Sequence, residues 1–315
     1  MPTLSVLVPA KDEQDTITEL VRQLHESLDP RFDWEVVFVD DGSTDKSWQV
    51  MSDLAAADDR VRATRLRCNM GKAAALAVAI REARGDLLVT MDADLQDDPA
   101  EVPRLLARLD DGTDLVSGHK KDRKDPLSKR LPSKFFNAVT GWVTGLRLRD
   151  HNCGLKAGRR EVFTTIPIHG ELHRYVPALA HAMGFRVGEE PVHHRAREHG
   201  RSKYGFERYL RGALDLLTVV ALTRYGRRPG HLFGGLGALS GLVGTMILLY
   251  LTGVWVFTDQ SIGTRPLLTL GVLLEILAVQ LVGLGLIAEL VLARTLQSEE
   301  VERYVVDRTT PGPDR

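Results

Sequence analysis

Between residues 232 and 258 the chain carries no charged side chain, a run longer than the about 20 apolar residues that a helix needs to cross a bilayer. A second apolar run, residues 267–288, carries only Glu275. Runs of this length read as two membrane spans rather than two buried core helices. Arg224, Arg227 and Arg228 precede the first span and Arg294 follows the second, while the link between them holds only Asp259 and Arg265. Positive charge gathers on the cytoplasmic side, so the pair reads as a hairpin with both ends inside. Residues 206–228 set Leu210, Leu214, Leu217, Val220 and Ala221 among Arg208, Arg211 and Arg224. A basic amphipathic helix of this kind lies along a membrane surface among lipid headgroups.

The expected organisation is therefore a cytoplasmic domain over 1–205, a juxtamembrane helix over 206–230, spans over 231–258 and 266–293, and a cytoplasmic tail over 294–315. That describes a multi-pass protein of the cell membrane. No signal-peptide pattern is expected at the start, since Met1-Pro2-Thr3 leads straight into a strand-like run. Glu275 and Glu289 are 14 residues apart, close to four turns, and so share a helix face. Gly237-x-x-x-Gly241 is compatible with close helix contact and with a homo-oligomer formed through the spans.

The formal net charge is −1, so no global field points to nucleic acid. Charge is instead gathered locally. Residues 195–228 hold nine Arg and Lys against three Asp and Glu, and residues 119–134 hold seven against two. Such patches are either solvated surface or sites for polyanions and anionic headgroups. The two cysteines, Cys68 and Cys153, form no metal-binding or disulfide pattern and read as reduced. His193-His194 would point to opposite faces of a strand, which argues against a shared zinc ion.

Residues 4–118 alternate strand and helix patterns, which predicts an α/β domain with a parallel sheet and crossover helices. Strands are expected at 4–8, 35–39, 61–66, 87–91 and 115–117, with helices at 17–27, 72–84 and 99–110. Ser43 or Thr44 is expected to cap the helix after the second strand. The fourth run stops on Asp92-Ala93-Asp94-Leu95-Gln96. In an open parallel sheet, ligands sit beyond the carboxyl ends of the strands. Two carboxylates one residue apart repel unless a cation or a shared proton compensates. A hard divalent ion suits them, with Gln96 as a further oxygen donor; the alternative is a solvated acidic turn. Asp40 and Asp41 bring carboxylates to a second strand end. Gly71-Lys72 is not a nucleotide-hydrolase phosphate loop, because position 66 is Leu and position 73 is Ala. No Gly-x-Gly-x-x-Gly follows a strand either.

Taken together, Asp40-Asp41-Gly42-Ser43-x-Asp45, Asn69-x-Gly71-Lys72, Asp92-Ala93-Asp94-Leu95-Gln96-Asp97-x-Pro99 and Arg197-x-x-Gly200-x-Ser202-Lys203-Tyr204 resemble the inverting family 2 glycosyltransferases. Within that family the pattern is similar to the polyprenyl-phosphate glycosyltransferases, such as dolichyl-phosphate mannose synthases and bactoprenol glucosyltransferases. The likeness covers residues 3–210. It departs at Ala10-Lys11-Asp12-Glu13, where family members often carry an aromatic residue and Asn before the Glu.

The resemblance implies a GT-A, Rossmann-like nucleotide-sugar domain followed by the two-helix transmembrane hairpin. It implies a UDP- or GDP-hexose donor, bound by Pro9, Ala10, Glu13, Asp40, Asp41, Gly71, Lys72, Asp92 and Ala93. Asp92, Asp94 and Gln96 would hold Mg²⁺ or Mn²⁺, with Asp94, Arg197 and Lys203 in catalytic positions. Lys120, Arg130, Ser133, Lys134 and Arg201 would gather the phosphate of a polyprenyl-phosphate acceptor. Two alternatives are a processive polysaccharide synthase, whose usual Gln-x-x-Arg-Trp motif is missing from the sequence, and a non-catalytic membrane scaffold that keeps the nucleotide fold.

Overall fold

The five expected strands all become strands of one sheet. They are β1 (Leu4–Ala10), β2 (Trp34–Asp40), β3 (Val61–Arg65), β4 (Leu87–Thr90) and β5 (Leu115–Lys120). Every residue of β2 is buried, as expected of a strand covered on both faces. Two further strands, β6 (Lys156–Arg159) and β7 (Val187–Val192), complete a seven-stranded sheet of order β3-β2-β1-β4-β6-β5-β7. Strands β1 to β4 pair in parallel, as do β5 and β7, whereas β6 runs antiparallel to both β4 and β5. The sheet is therefore mixed, through a strand that lies beyond the alternating region read from sequence. The computed structural model describes residues 3–120, 137, 139–142, 144–170, 172–193, 195, 218–221, 223, 225, 228–258 and 261–298.

Helices α1 (Ile17–Leu28), α2 (Ser47–Ala57), α3 (Lys72–Glu82) and α4 (Val102–Asp110) connect the strands. The inward face of α1 is Ile17, Leu20, Val21, Leu24 and Leu28, the 3–4 spacing that buries one stripe of a helix. α4 follows a short 3-10 turn, Pro99–Glu101, in which Asp98 accepts from the Ala100 N–H. Two shorter helices, α5 (Arg160–Thr165) and α6 (Val176–Ala182), flank β6 and a 3-10 turn at Leu172–Tyr175. The start of α2 corrects one sequence reading. Neither Ser43 nor Thr44 caps it; the Asp45 carboxylate accepts from the Ser47 N–H at 2.9 Å and from its hydroxyl at 2.5 Å. Ser43 and Thr44 are engaged elsewhere, with Ser43 accepting from the Asp12 N–H and Thr44 donating to the Asp12 carboxylate.

The chain divides into two units, Met1–Val220 and Ala221–Arg315. The second unit is a helical hairpin of α7 (Pro229–Thr258) and α8 (Pro266–Ser298). Both helices are long and apolar enough to span a membrane. Only 11% of each apolar window is buried, so these are not core helices of a soluble domain. Large side chains such as Leu249, Val279 and Leu290 are exposed, as a lipid-facing surface requires.

Inside the hairpin the contacts are small and polar. A Cβ at Gly237 would lie 3.0 Å from the Ala278 carbonyl oxygen, and one at Gly241 3.3 Å from the Ala278 Cβ. Both glycines of the Gly-x-x-x-Gly pair thus face α8 of the same chain. Thr245 donates to Glu275 Oε1 at 2.6 Å, and the Gly230 N–H donates to Glu289 Oε1 at 3.1 Å. Both acids point toward α7, in keeping with their four-turn spacing.

Candidate active site

The carboxyl ends of β1, β2 and β4 meet at one edge of the sheet, with Ala10 level with Asp40 and Leu7 level with Thr90. At the end of β2 the two acids serve the backbone. Asp40 is fully buried; one oxygen accepts from the Ser43 N–H at 2.8 Å and the other meets Arg65 Nε at 3.0 Å. The carboxylate of Asp41, also buried, accepts from the Met70 N–H at 2.7 Å and the Gly71 N–H at 3.0 Å. It thereby fixes the turn that delivers Lys72 to the start of α3. Gly42 makes that turn attainable. Its φ is +69°, and a Cβ there would lie 2.6 Å from the Asn69 nitrogen, so no other residue fits. Between the ends of β2 and β3, a cavity of about 300 Å³ is lined by Gly42, Ser43, Arg65, Leu66, Arg67 and Cys68.

Asparagine at position 41 would keep one acceptor oxygen and lose the charge-assisted second bond, a cost of about 1–3 kcal/mol carried by the loop. Asp41→Asn is expected to weaken nucleotide-sugar binding about tenfold while the thermal melt of the protein barely moves. Isothermal titration with the donor checks this, and undiminished affinity would show that the loop is held by other means.

Pro9, Ala10 and Glu13 sit at the end of β1. Ala10 is buried and Pro9 half-buried. The Glu13 N–H donates to the Ser47 hydroxyl at 2.8 Å, tying the β1 end to α2. Asp12, at φ 55°, holds a left-handed turn that a short polar side chain tolerates.

The turn after β4 carries the densest charge. Lys72 Nζ donates to Asp92 Oδ1, with the two side chains 38% and 36% exposed. Burial works against the charge on Asp92, but the Lys72 ammonium, followed by Lys120 and Lys156, outweighs it and brings the pKa down to about 2. Lys72 is likewise disfavoured by burial, yet Asp92, then Asp97 and Asp94, raise its pKa. Both groups are ionised at neutral pH. Leu95, at φ 58°, turns the backbone so that the Gln96 N–H donates to Asp94 Oδ1 at 3.2 Å. Ala93 between the two acids is buried.

Gly154, which precedes β6, completes the cradle. A Cβ there would lie 3.0 Å from Asp97 Oδ2 and 3.1 Å from Asp92 Oδ2. Two carboxylate oxygens from different ends of the acidic turn therefore converge on a space that only glycine leaves open. Hard oxygen donors around an open cradle suit a divalent cation. No three acid, His or Cys side chains among the described residues form a complete ligand set. A cation here would take its remaining ligands from a bound diphosphate, the usual arrangement for Mg²⁺.

Several residues at this edge were given no role by sequence reasoning. Asp97 is buried beside Gly154. Lys156 is buried in β6, level with Thr90 on one side and Ser117 on the other, and donates to the Cys153 carbonyl. Burial lowers its pKa and pushes the Cys153 thiol up to about 12, which keeps that cysteine inert. His173, in the turn before α6, has its pKa pushed down to about 3 by burial, then by Lys72, Arg174 and Lys156. It is a neutral imidazole among the ions of the site. Nothing in Lys156-Ala-Gly-Arg159 marks a strand, since it has neither an apolar run nor alternation.

Lys120 closes β5 and is half-buried. Arg130, Ser133, Lys134, Arg197, Arg201 and Lys203 lie outside the described residues. Arg195, which is described, is anchored to the acidic turn. The Arg195 N–H donates to the Gln96 carbonyl at 2.9 Å, and its guanidinium pairs with Asp98 at 2.7 Å and donates to Gln23 at 2.9 Å.

Comparison with known proteins bears on this geometry. The profile of glycosyl transferase family 2 matches residues 5–167. A dodecaprenyl-phosphate galacturonate synthase of Rhizobium johnstonii is 38% identical over 309 residues, covering 96% of this chain and 91% of the relative. An undecaprenyl-phosphate 4-deoxy-4-formamido-L-arabinose transferase of Salmonella choleraesuis is 34% identical over 290 residues, covering 91% and 87%. Among solved structures, glucosyl-3-phosphoglycerate synthase from Mycobacterium tuberculosis, in complex with Mn²⁺, UDP and glucosyl-3-phosphoglycerate, superposes with a TM-score of 0.55. At 19% identity, covering 70% of this chain and 79% of that one, it shares the fold.

Proposed function

Because the chain belongs to glycosyl transferase family 2, we propose that it transfers a sugar from a nucleotide sugar to a polyprenyl phosphate, making a lipid-linked monosaccharide. The observation that carries this reading is one chain holding both the Lys72 and Asp92–Asp97 constellation at the sheet edge and a two-helix membrane hairpin. Both relatives are named for a polyprenyl phosphate that carries a sugar.

In this reading an oxygen of the acceptor phosphate attacks the anomeric carbon from the face opposite the leaving group. The bond to the donor diphosphate breaks, its electron pair leaves with the nucleoside diphosphate, and the anomeric configuration inverts. The phosphate is anionic at neutral pH, so no strong general base is required. Asp92 and Asp94, with Gln96, would hold Mg²⁺ or Mn²⁺, which when bound would stabilise the charge growing on the diphosphate. Arg197 and Lys203 clamp the same diphosphate, as the resemblance implies. Asp40 and Asp41, with Pro9, Ala10 and Glu13, frame the nucleoside of a UDP or GDP donor. Lys120, with Arg130, Ser133, Lys134 and Arg201, gathers the acceptor phosphate.

The test supplies the purified protein with labelled nucleotide sugars, a divalent cation and polyprenyl phosphate. A lipid-soluble, acid-labile sugar phosphate is expected. Polymer as the product would point to a processive synthase, and no transfer from any common nucleotide sugar would point to a scaffold.

The hairpin is a membrane element, and we place both of its ends in the cytoplasm because Arg224, Arg227, Arg228 and Arg294 flank it. A label in the link between α7 and α8 is expected to be reached only from the extracytoplasmic face of intact cells. Labelling from the cytoplasmic face alone would reverse the orientation.

A further inference from the structure

The contact between Lys72 and Asp92 has a role that neither the family nor the proposed reaction assigns. We propose that Lys72 is the resident counter-ion of Asp92, that the divalent cation displaces it, and that the freed ammonium then serves the donor diphosphate. Cation and nucleoside diphosphate would then bind with strong positive coupling and each would bind poorly alone. The inference deepens the proposed function and rests on its placement of a cation at Asp92.

The geometry sets an ammonium and a cation in competition for one carboxylate. Asp92 Oδ1 accepts from Lys72 Nζ, and Asp92 Oδ2 lies at the Gly154 cradle beside Asp97. One small carboxylate would therefore carry an ammonium on one oxygen and a dication on the other. Two like charges held on one carboxylate repel strongly at the low effective dielectric of a protein edge, and a dication doubles the repulsion. The site is already rich in fixed positive charge, since Lys120 and Lys156 also act on Asp92. Lys156 cannot withdraw, because it is buried in β6 and donates to the Cys153 carbonyl. Lys72 is the group that can leave, being 38% exposed on a flexible four-carbon stem.

The direction in which it leaves is set as well. Its backbone is held by the Asn69–Gly71 turn, clamped by both oxygens of Asp41, so the side chain swings about a fixed point at the first turn of α3. An anionic diphosphate arriving with the cation offers the ammonium a new partner at that edge. Without the diphosphate, the cation must evict Lys72 into water. With it, eviction is compensated. Coupling between two ligands is reciprocal, so each must raise the affinity of the other by the same factor.

The test measures Mn²⁺ binding to the full-length protein in detergent by the loss of the free-ion paramagnetic resonance signal, alone and with UDP or GDP in separate arms. For the wild type, weak binding of Mn²⁺ alone and at least about tenfold tighter binding with one of the nucleotides is expected. Lys72→Met, which keeps the length and removes the charge, is expected to bind Mn²⁺ alone about tenfold more tightly and to show a correspondingly smaller gain when the nucleotide is added, the remaining gain coming from ligation by the diphosphate; tenfold is about 1.4 kcal/mol. Lys72→Gln is a second uncharged variant in case the first fails to fold. Lys72→Arg keeps the charge and is expected to keep the weak binding of Mn²⁺ alone. Unchanged or weaker Mn²⁺ binding by the folded uncharged variants overturns the exchange, as does wild-type binding that is independent of both nucleotides. Sugar transfer is not the readout. A protein that shows the coupling but transfers nothing to polyprenyl phosphate would sink the proposed reaction and leave the exchange standing.

Discussion

Replacing Asp94 by alanine is expected to lower sugar transfer at least about a thousandfold and leave the fold intact. A thousandfold in rate is about 4 kcal/mol of transition-state stabilisation, within reach of one preorganised ionic group acting on a departing diphosphate. Asp94 belongs to the turn after β4, outside the core, and is half-exposed with its Oδ1 accepting from the Gln96 N–H. Its loss takes no apolar contact from the sheet, so the melting temperature should move little. Excess chelator is expected to reproduce the loss in the wild-type protein, and re-added Mg²⁺ or Mn²⁺ to restore it. Transfer that continues undiminished in chelator would rule out the cation and, with it, this role for Asp94.

The second large effect concerns acid. His151 is fully buried, and neither ring nitrogen has a hydrogen-bond partner among the described residues. Burial pushes its pKa down to about 4, against about 6.5 in the unfolded chain. Between these values the unfolded state binds the proton and the folded state does not. The stability from keeping His151 neutral is therefore complete above about pH 6.5 and drains away as pH falls toward about 4. Over that window the loss reaches about 3 kcal/mol, from about 1.4 kcal/mol per pH unit. His173 is depressed in the same direction, to about 3, and extends the window downward. Denaturant midpoints of the first unit, followed by its tryptophan fluorescence from pH 7.5 to 4.5, should fall steadily. His151→Phe should reduce the slope, because an apolar ring has nothing to protonate. An identical slope in that variant would place the acid sensitivity elsewhere.

Much of the sheet was legible because β1, β2 and β4 are apolar runs with abrupt polar ends, and burial on both faces leaves such runs no other fold. Legibility ended where side chains stop reporting burial. β6 has four residues, two of them basic, and exists because β4 and β5 each need a partner on that side. Its buried Lys156 has no signature in a sequence, where a lysine reads as surface. The acids at the strand ends were legible as a cluster, yet their division of labour was not. Backbone N–H groups of Met70 and Gly71 occupy both oxygens of Asp41, a fact set by a loop 29 residues further on. Gly154 illustrates the same limit from the other side. Its use is the space it leaves between Asp92 and Asp97, and an empty space has no residue type.

In the hairpin, Glu275 takes the Thr245 hydroxyl and lies 3.1 Å from where a Cβ at Gly244 would sit. An unsatisfied polar group in hydrocarbon costs several kcal/mol, so the two helices hold one relative register. Sliding either by a turn would carry the acid off its threonine and into side chains with no room for it. The pair behaves as a self-keyed cassette, since the chain itself supplies both the acid and the hydroxyl that engages it. Grafted behind a different catalytic domain, it would bring its own alignment.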